Sequence, residues 1–388
     1  MKRIEESILD THNVLHNVIY GTNGEKTHLA NTMMERLCHQ YELSKVDIYS
    51  SSVFPYIRYD RNKNGYLIWD NHFWNLFEYY ANNIEAEITH GKTEDELRRD
   101  AVSLFFIANA SLLDSKPSLS KAFADCYISF FNRYGLYDGL FQQPGCSNQV
   151  FDWAFHARIY VAFHEITHTA YRKDPNAESN SKTILMQYVS EFEQPDFLYR
   201  NTVYPTIAHV VSRLKEVINN NEVDAIQEFM CDLSACQKLL DLILHAYNGN
   251  LEEKAEYTLF IALLVNNFIC CLSKNERAWN HLYNIWHESS GTMEFIHAHN
   301  HNQPLDINKD ITLRLDMLYI AFTRYCEEKF GRIIVLNGIP GKFFAHACND
   351  IFDWQFVQEV IYRERQYFNN ASPEQNLIDS QDKLRWNR

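Results

Sequence analysis

The stretch Tyr160-Val-Ala-Phe-His164-Glu165-Ile-Thr-His168-Thr-Ala-Tyr171 holds two histidines and a glutamate at a spacing that suits hydrolytic chemistry. Residues at i and i+4 of a helix share one face, so His164 and His168 can direct a ring nitrogen each at one metal ion. Glu165 sits one step round the helix, where it can reach a metal-bound water without ligating the metal. A zinc ion held in this way keeps a position open for water and lowers that water's pKa towards about 7. The glutamate then acts as general base and returns the proton to a leaving amine.

The elements that position these residues read as apolar helices. From Val150 to Arg172, Phe151, Ala154, Phe155, Ile159, Val161, Ala162, Phe163 and Ile166 cover much of one helix's circumference, which predicts burial. Buried histidines need partners, because unpaired polar groups in a core cost a few kcal/mol. The bland alternative is a surface helix with incidental histidines.

A catalytic zinc takes three protein ligands plus water. The later run Gln227-Glu228-Phe-Met-Cys-Asp232-Leu-Ser-Ala235 offers a candidate. Glu228 and Asp232 lie four apart on one face. Glu228 can ligate while Asp232 accepts a hydrogen bond from the far nitrogen of a ligand histidine. The alternative is a pair of solvent-facing carboxylates, against which Phe229, Met230, Leu233 and Ala235 argue for burial.

His-Glu-x-x-His on one helix and Glu-x-x-x-Asp on a later one together resemble the gluzincin zinc metallopeptidases. Carried over position by position, the resemblance implies His164, His168 and Glu228 as zinc ligands, Glu165 as base and Asp232 as the residue that orients a ligand histidine. It also implies a compact zincin-like core over about residues 55 to 325, with a small sheet above the cleft, and a protein or peptide substrate cut internally rather than from an end. Metzincins differ: a glycine three residues after the second histidine lets the chain return to the metal. Here Tyr171 stands at that position and Asp174 at the third-ligand position, so Asp174 is a rival ligand only.

Negative charge that builds on the attacked carbonyl needs a protein donor. His299 and His301, in Phe295-Ile-His297-Ala-His299-Asn-His301-Asn-Gln-Pro304, are candidates together with Arg314. They are loosely similar to the His-Pro and Arg of some gluzincins. Tyr171 and Tyr204 are weaker candidates, and three alternating histidines are also compatible with a solvated loop.

Around these motifs the spacing predicts helices over residues 2–20, 27–41, 72–88, 93–113, 117–134, 184–192, 205–218, 222–247, 256–272, 279–287, 311–330 and 354–368. Asp174 to Ser181 reads as surface loop. Extended segments are expected over 46–53, 56–60 and 66–69, with Asn64-Gly65 as a hairpin turn. An extended peptide could pair along that hairpin as an added strand. The expected class is α+β, mainly α, with a small antiparallel sheet near 56–69. Its parts are an N-terminal helical segment (1–45), a zincin-like catalytic domain (46–330) and a C-terminal helical extension with a loose tail (331–388).

Composition narrows the partners. With 46% hydrophobic residues in 388, the chain can build a substantial core. A net charge of −14 argues against a nucleic-acid or anionic-membrane partner, both of which need a basic face. The N-terminus has no apolar signal core, and the greasy run Leu259 to Leu272 is short and broken by Asn266 and Asn267. Nine cysteines without a Cys-x-x-Cys pair suggest a reducing, cytoplasmic setting. The oligomeric state is not legible. Two other classes fit the same sequence: a non-catalytic protein whose zinc staples two helices, and a helical scaffold without metal.

Overall fold

The computed structural model describes residues 17–18, 47–51, 58–60, 66–91, 148–194, 207–288 and 311–331, with isolated positions at 122–123, 125–126, 128–129, 133 and 363. Among the described residues seven helices dominate: α1 (Asn71–His90), α2 (Asn148–Lys173), α3 (Ala177–Phe192), α4 (Ile207–Asn219), α5 (Val223–Ala246), α6 (Leu251–Glu288) and α7 (Ile311–Phe330). The helices expected over 27–41 and 93–113 and almost all of that over 354–368 lie outside the described residues, as do the hairpin turn at Asn64-Gly65 and the proposed domain edge at 45/46. Of the helix expected over 117–134, positions 122–123, 125–126, 128–129 and 133 are described and are helical.

The expected α+β class with a small antiparallel sheet is corrected to a mainly helical one. Every described residue of the buried core lies in a helix. The extended segments β1 (Asn17–Val18), β2 (Asp47–Ser51), β3 (Arg58–Asp60) and β4 (Tyr66–Asp70) are short. Their order is β1-β2-β4-β3, and β2 runs parallel to β4 from Asp47 beside Tyr66 to Ser51 beside Asp70. Alternation marks a segment as extended but does not choose its partner, and a parallel neighbour is a non-local choice that no turn signal encodes. Asn17–Val18, assigned by spacing to a first helix, lies antiparallel to β2 instead.

α5 is the central helix, packing against α2, α6, α7, α3 and α4. Its apolar face (Ile226, Phe229, Leu233, Leu239, Leu240 and Ile243) is buried. It begins after a tight turn in which Asn221 takes a left-handed backbone (φ +56°), a conformation asparagine tolerates better than most residues. Arg213 of α4 closes that turn with both guanidinium nitrogens on Glu222. Aromatic pairs join the layers: Trp153 of α2 meets Phe260 of α6 edge-on at 4.8 Å between centroids, and Phe77 of α1 meets Phe268 of α6 at 5.4 Å. Such pairs add about 1 kcal/mol to the burial of the rings themselves.

Two helix boundaries depart from expectation. The polar run after α2 is a loop only over Asp174–Asn176, and α3 starts at Ala177. Glu178 and Lys182 pair one turn apart at 2.6 Å, and small Ala177 and Ser181 extend the buried face of Leu185, Val189 and Phe192 back to the start of the helix. The runs 256–272 and 279–287 are one helix, α6, of 38 residues, with no glycine or proline to interrupt it. Its Leu251–Leu272 part is long and apolar enough to cross a membrane, contrary to the short-run reading, but 78% of that window is buried inside the protein. The two asparagines there are partnered: Asn267 Nδ2 donates to Tyr80 Oη at 2.6 Å, and Asn266 donates to α2.

Candidate metal centre

α2 delivers its two histidines side by side. Both rings are buried, their centroids are 4.6 Å apart, and the Nε2 atoms lie 2.9 Å from each other. α5 crosses α2 so that Glu228 faces the same point. Its Oε2 is 3.3 Å from His164 Nε2 and its Oε1 is 3.2 Å from His168 Nε2. One ligand atom from each of His164, His168 and Glu228 falls within 4.8 Å of the other two. Two imidazole nitrogens and one carboxylate oxygen, converging from two rigid helices, suit a divalent cation such as zinc. Glu228 is 41% exposed while both rings are almost sealed, so the carboxylate forms the mouth of the site.

Asp232, one turn after Glu228, is fully buried behind His164. His164 Nδ1 lies 2.8 Å from Asp232 Oδ1, within hydrogen-bonding distance although not aligned as one. Tyr160, one turn before His164, donates from its hydroxyl to the same oxygen at 2.9 Å. Arg314 of α7 donates through Nε to Oδ2 and through Nη2 to Oδ1, and its Nη2 also sits 3.1 Å from Glu228 Oε2. One guanidinium thus ties both carboxylates of α5 to α7.

The electrostatics follow from this crowding. Burial opposes charge on His164, but Asp232 and then Glu228 outweigh it, and its pKa is pushed up to about 10. The same negative surroundings that favour a proton on this ring favour a metal cation at it. Burial would also neutralise Glu228, yet His164, His168 and Arg314 hold it well below the usual carboxylate range. Asp232 is driven upward by burial and downward more strongly by Arg314 and His164, settling at about 2. Tyr160 is raised above the ordinary phenol value, first by burial and next by Asp232, so its hydroxyl keeps its proton and remains a donor.

Glu165 is half-buried on α2, next to His164 in sequence, and within electrostatic reach of Cys231 on α5. Burial first, with Asp232, Glu228 and Glu165 adding to it, raises that thiol's pKa. Arg314 does reach the site, engaged by two carboxylates. His299, His301 and Tyr204 lie outside the described residues. Tyr171 is half-buried on α2. The rival ligand Asp174 is exposed and accepts a hydrogen bond from the Asn176 backbone at 2.8 Å, as the cap of the tight turn.

Sequence reasoning missed Tyr160 and Asn266. Asn266 Nδ2 donates to Tyr160 Oη at 2.8 Å and to the Ala262 carbonyl at 2.9 Å, linking α6 to the cluster. The available signal was a polar side chain inside an apolar run, which must find a partner or carry a desolvation cost. Spacing also put Tyr160 four residues before His164, on its face. Comparison with protein-family models, curated proteins and solved structures found no match, so the gluzincin resemblance rests on its motifs.

Proposed function

We propose that this chain is a zinc-dependent metallopeptidase, an endopeptidase acting on protein or peptide substrates. The observation that carries the reading is the convergence of His164 and His168 with Glu228, a residue from a different helix. Zinc, when bound, supplies an acidified water and polarises the substrate carbonyl. The protein supplies the rest. His164, His168 and Glu228 would hold the ion. Asp232 faces Nδ1 of His164, which keeps the proton on that atom and leaves Nε2 as a lone-pair donor. Glu165, one step round from the ligand face, takes the proton of the attacking water and delivers it to the leaving amine.

A second reading draws on the ties that Arg314 makes from α7 to both α5 carboxylates. In that reading a metal staples helices together and does no chemistry. The Glu165→Gln variant separates the two. With purified protein and a peptide library, the enzyme reading predicts normal zinc content, an unchanged melting temperature and loss of cleavage by at least 100-fold, the low end for a lost general base. Cleavage by the variant at the wild-type rate, or none by zinc-loaded wild type, would refute it.

A further inference from the structure

Two hydrogen bonds and one close polar contact cross the helices behind the candidate ligands, and the donors can be assigned atom by atom. The Ala262 carbonyl can only accept, so the Asn266 atom 2.9 Å from it is the amide nitrogen. That nitrogen also faces Tyr160 Oη at 2.8 Å and donates to it. Tyr160 Oη therefore accepts from Asn266, and its own proton points to Asp232 Oδ1 at 2.9 Å. Asp232, an acceptor only, stands 2.8 Å from His164 Nδ1. The sequence Asn266, Tyr160, Asp232, His164 runs from α6 through α2 to α5 and back to α2. The Asn266 donor polarises the Tyr160 hydroxyl, which strengthens that hydroxyl's own bond to Asp232. Tyr160, Asp232 and Asn266 are all nearly free of solvent contact, so water cannot replace a missing member at low cost.

We propose that Tyr160 and Asn266 are positioning residues for the metal centre: they fix the Asp232 carboxylate against His164 and so set that ring's orientation and its metal-facing nitrogen. The inference rests on the metal reading above and deepens it. Arg314 holds both Asp232 oxygens from the α7 side, and Tyr160 is the second donor to Oδ1, the oxygen that faces His164. Removing the hydroxyl leaves that oxygen freer to turn and lets the ring rotate. Outer partners of ligand histidines are worth about 10-fold to 100-fold in metal affinity.

The test is zinc affinity of the full chain, measured by competition with a chromophoric chelator, with melting temperature recorded alongside. Tyr160→Phe should weaken zinc binding about 10-fold, and Asn266→Leu by a smaller factor that vanishes in the Tyr160→Phe background. If Tyr160 acts through Asp232, Tyr160→Phe should add nothing to the loss caused by Asp232→Asn. Tyr257→Phe, at a half-buried tyrosine on α6 outside this chain, should leave zinc affinity unchanged. Wild-type affinity in Tyr160→Phe, or losses that multiply in the double variant, would overturn the proposal. Should Tyr160→Phe fail to fold, Asn266→Leu decides alone, and unchanged affinity overturns it. A wild-type protein that binds no zinc would instead sink the metal reading itself.

Discussion

Replacing Arg314 with Met isolates the electrostatic core of the site. Asp232 is ionised although only 1% of its side chain meets solvent, because Arg314 faces it with two donors. The drop in its pKa from the ordinary 3.8 to about 2 corresponds to roughly 2 kcal/mol of stability, at about 1.4 kcal/mol per unit. The sign follows from the direction of the shift. A depressed carboxylate stabilises the fold above its unfolded pKa, and the contribution disappears as pH falls through about 2. Arg314→Met removes the cation, frees Glu228 from its 3.1 Å contact and leaves Asp232 buried without a full charge partner. Breaking a buried pair from one side costs about 3 kcal/mol or more. With about 2.1 cal/mol/K of unfolding entropy per residue, 388 residues give about 0.8 kcal/mol/K, so the melting temperature should fall by about 4 °C at pH 7. Calorimetry in chelator measures this without any metal contribution. The gap from wild type should narrow at pH 4, where the unpaired carboxylate takes up a proton first. Asp232→Asn combined with Arg314→Met should melt above the single Arg314 variant, since no unpaired charge remains. A shift below 1 °C, no greater than that of Lys182→Met in the half-buried pair with Glu178, would refute the reasoning.

Three further outcomes follow from the packing and the site. Phe260→Ala, at a fully buried ring against Trp153, should cost about 4 kcal/mol in urea unfolding, whereas a value under 1 kcal/mol would contradict the α2–α6 contact. His156→Phe should cost about 2 kcal/mol, because the hydroxyls of Tyr247 and Tyr257 both lie 2.9 Å from its ring nitrogens; a neutral result would show that the ring does not clasp α2 to α6. Zinc at 100 times its dissociation constant should raise the wild-type melting temperature by about 3 °C, from about 2.7 kcal/mol of linkage, and should leave His168→Ala unmoved. Equal protection of that variant would place the ion elsewhere.

What the sequence made legible is what local periodicity encodes. The i, i+4 spacings of His164 with His168 and of Glu228 with Asp232 put each pair on one face, and the structure turns those faces toward each other. Apolar neighbours announced that α2 and α5 are buried. The illegible parts are non-local or depend on breakers being absent. The partner of β2 is β4, chosen by register rather than by any turn. α3 begins at Ala177 because its buried face, Ala177, Ser181, Leu185, Val189 and Phe192, starts with two small residues that local hydrophobicity does not mark. Asn266 looked like an interruption of an apolar run, and its partner Tyr160 lies on a distant stretch of chain. Arg314 was marked as a donor to the reacting carbonyl, and its contacts with Asp232 and Glu228 are visible only once α7 packs on α5.

The central claim is that two rings of α2 and one carboxylate of α5 hold a single zinc ion. Crystals of protein purified without a histidine tag, with anomalous data collected on both sides of the zinc edge, test it most directly. The account predicts one peak per chain, bound by Nε2 of His164, Nε2 of His168 and the Glu228 carboxylate. No peak at that point from crystals grown with added zinc, or a peak there with Glu228 turned away, would contradict it.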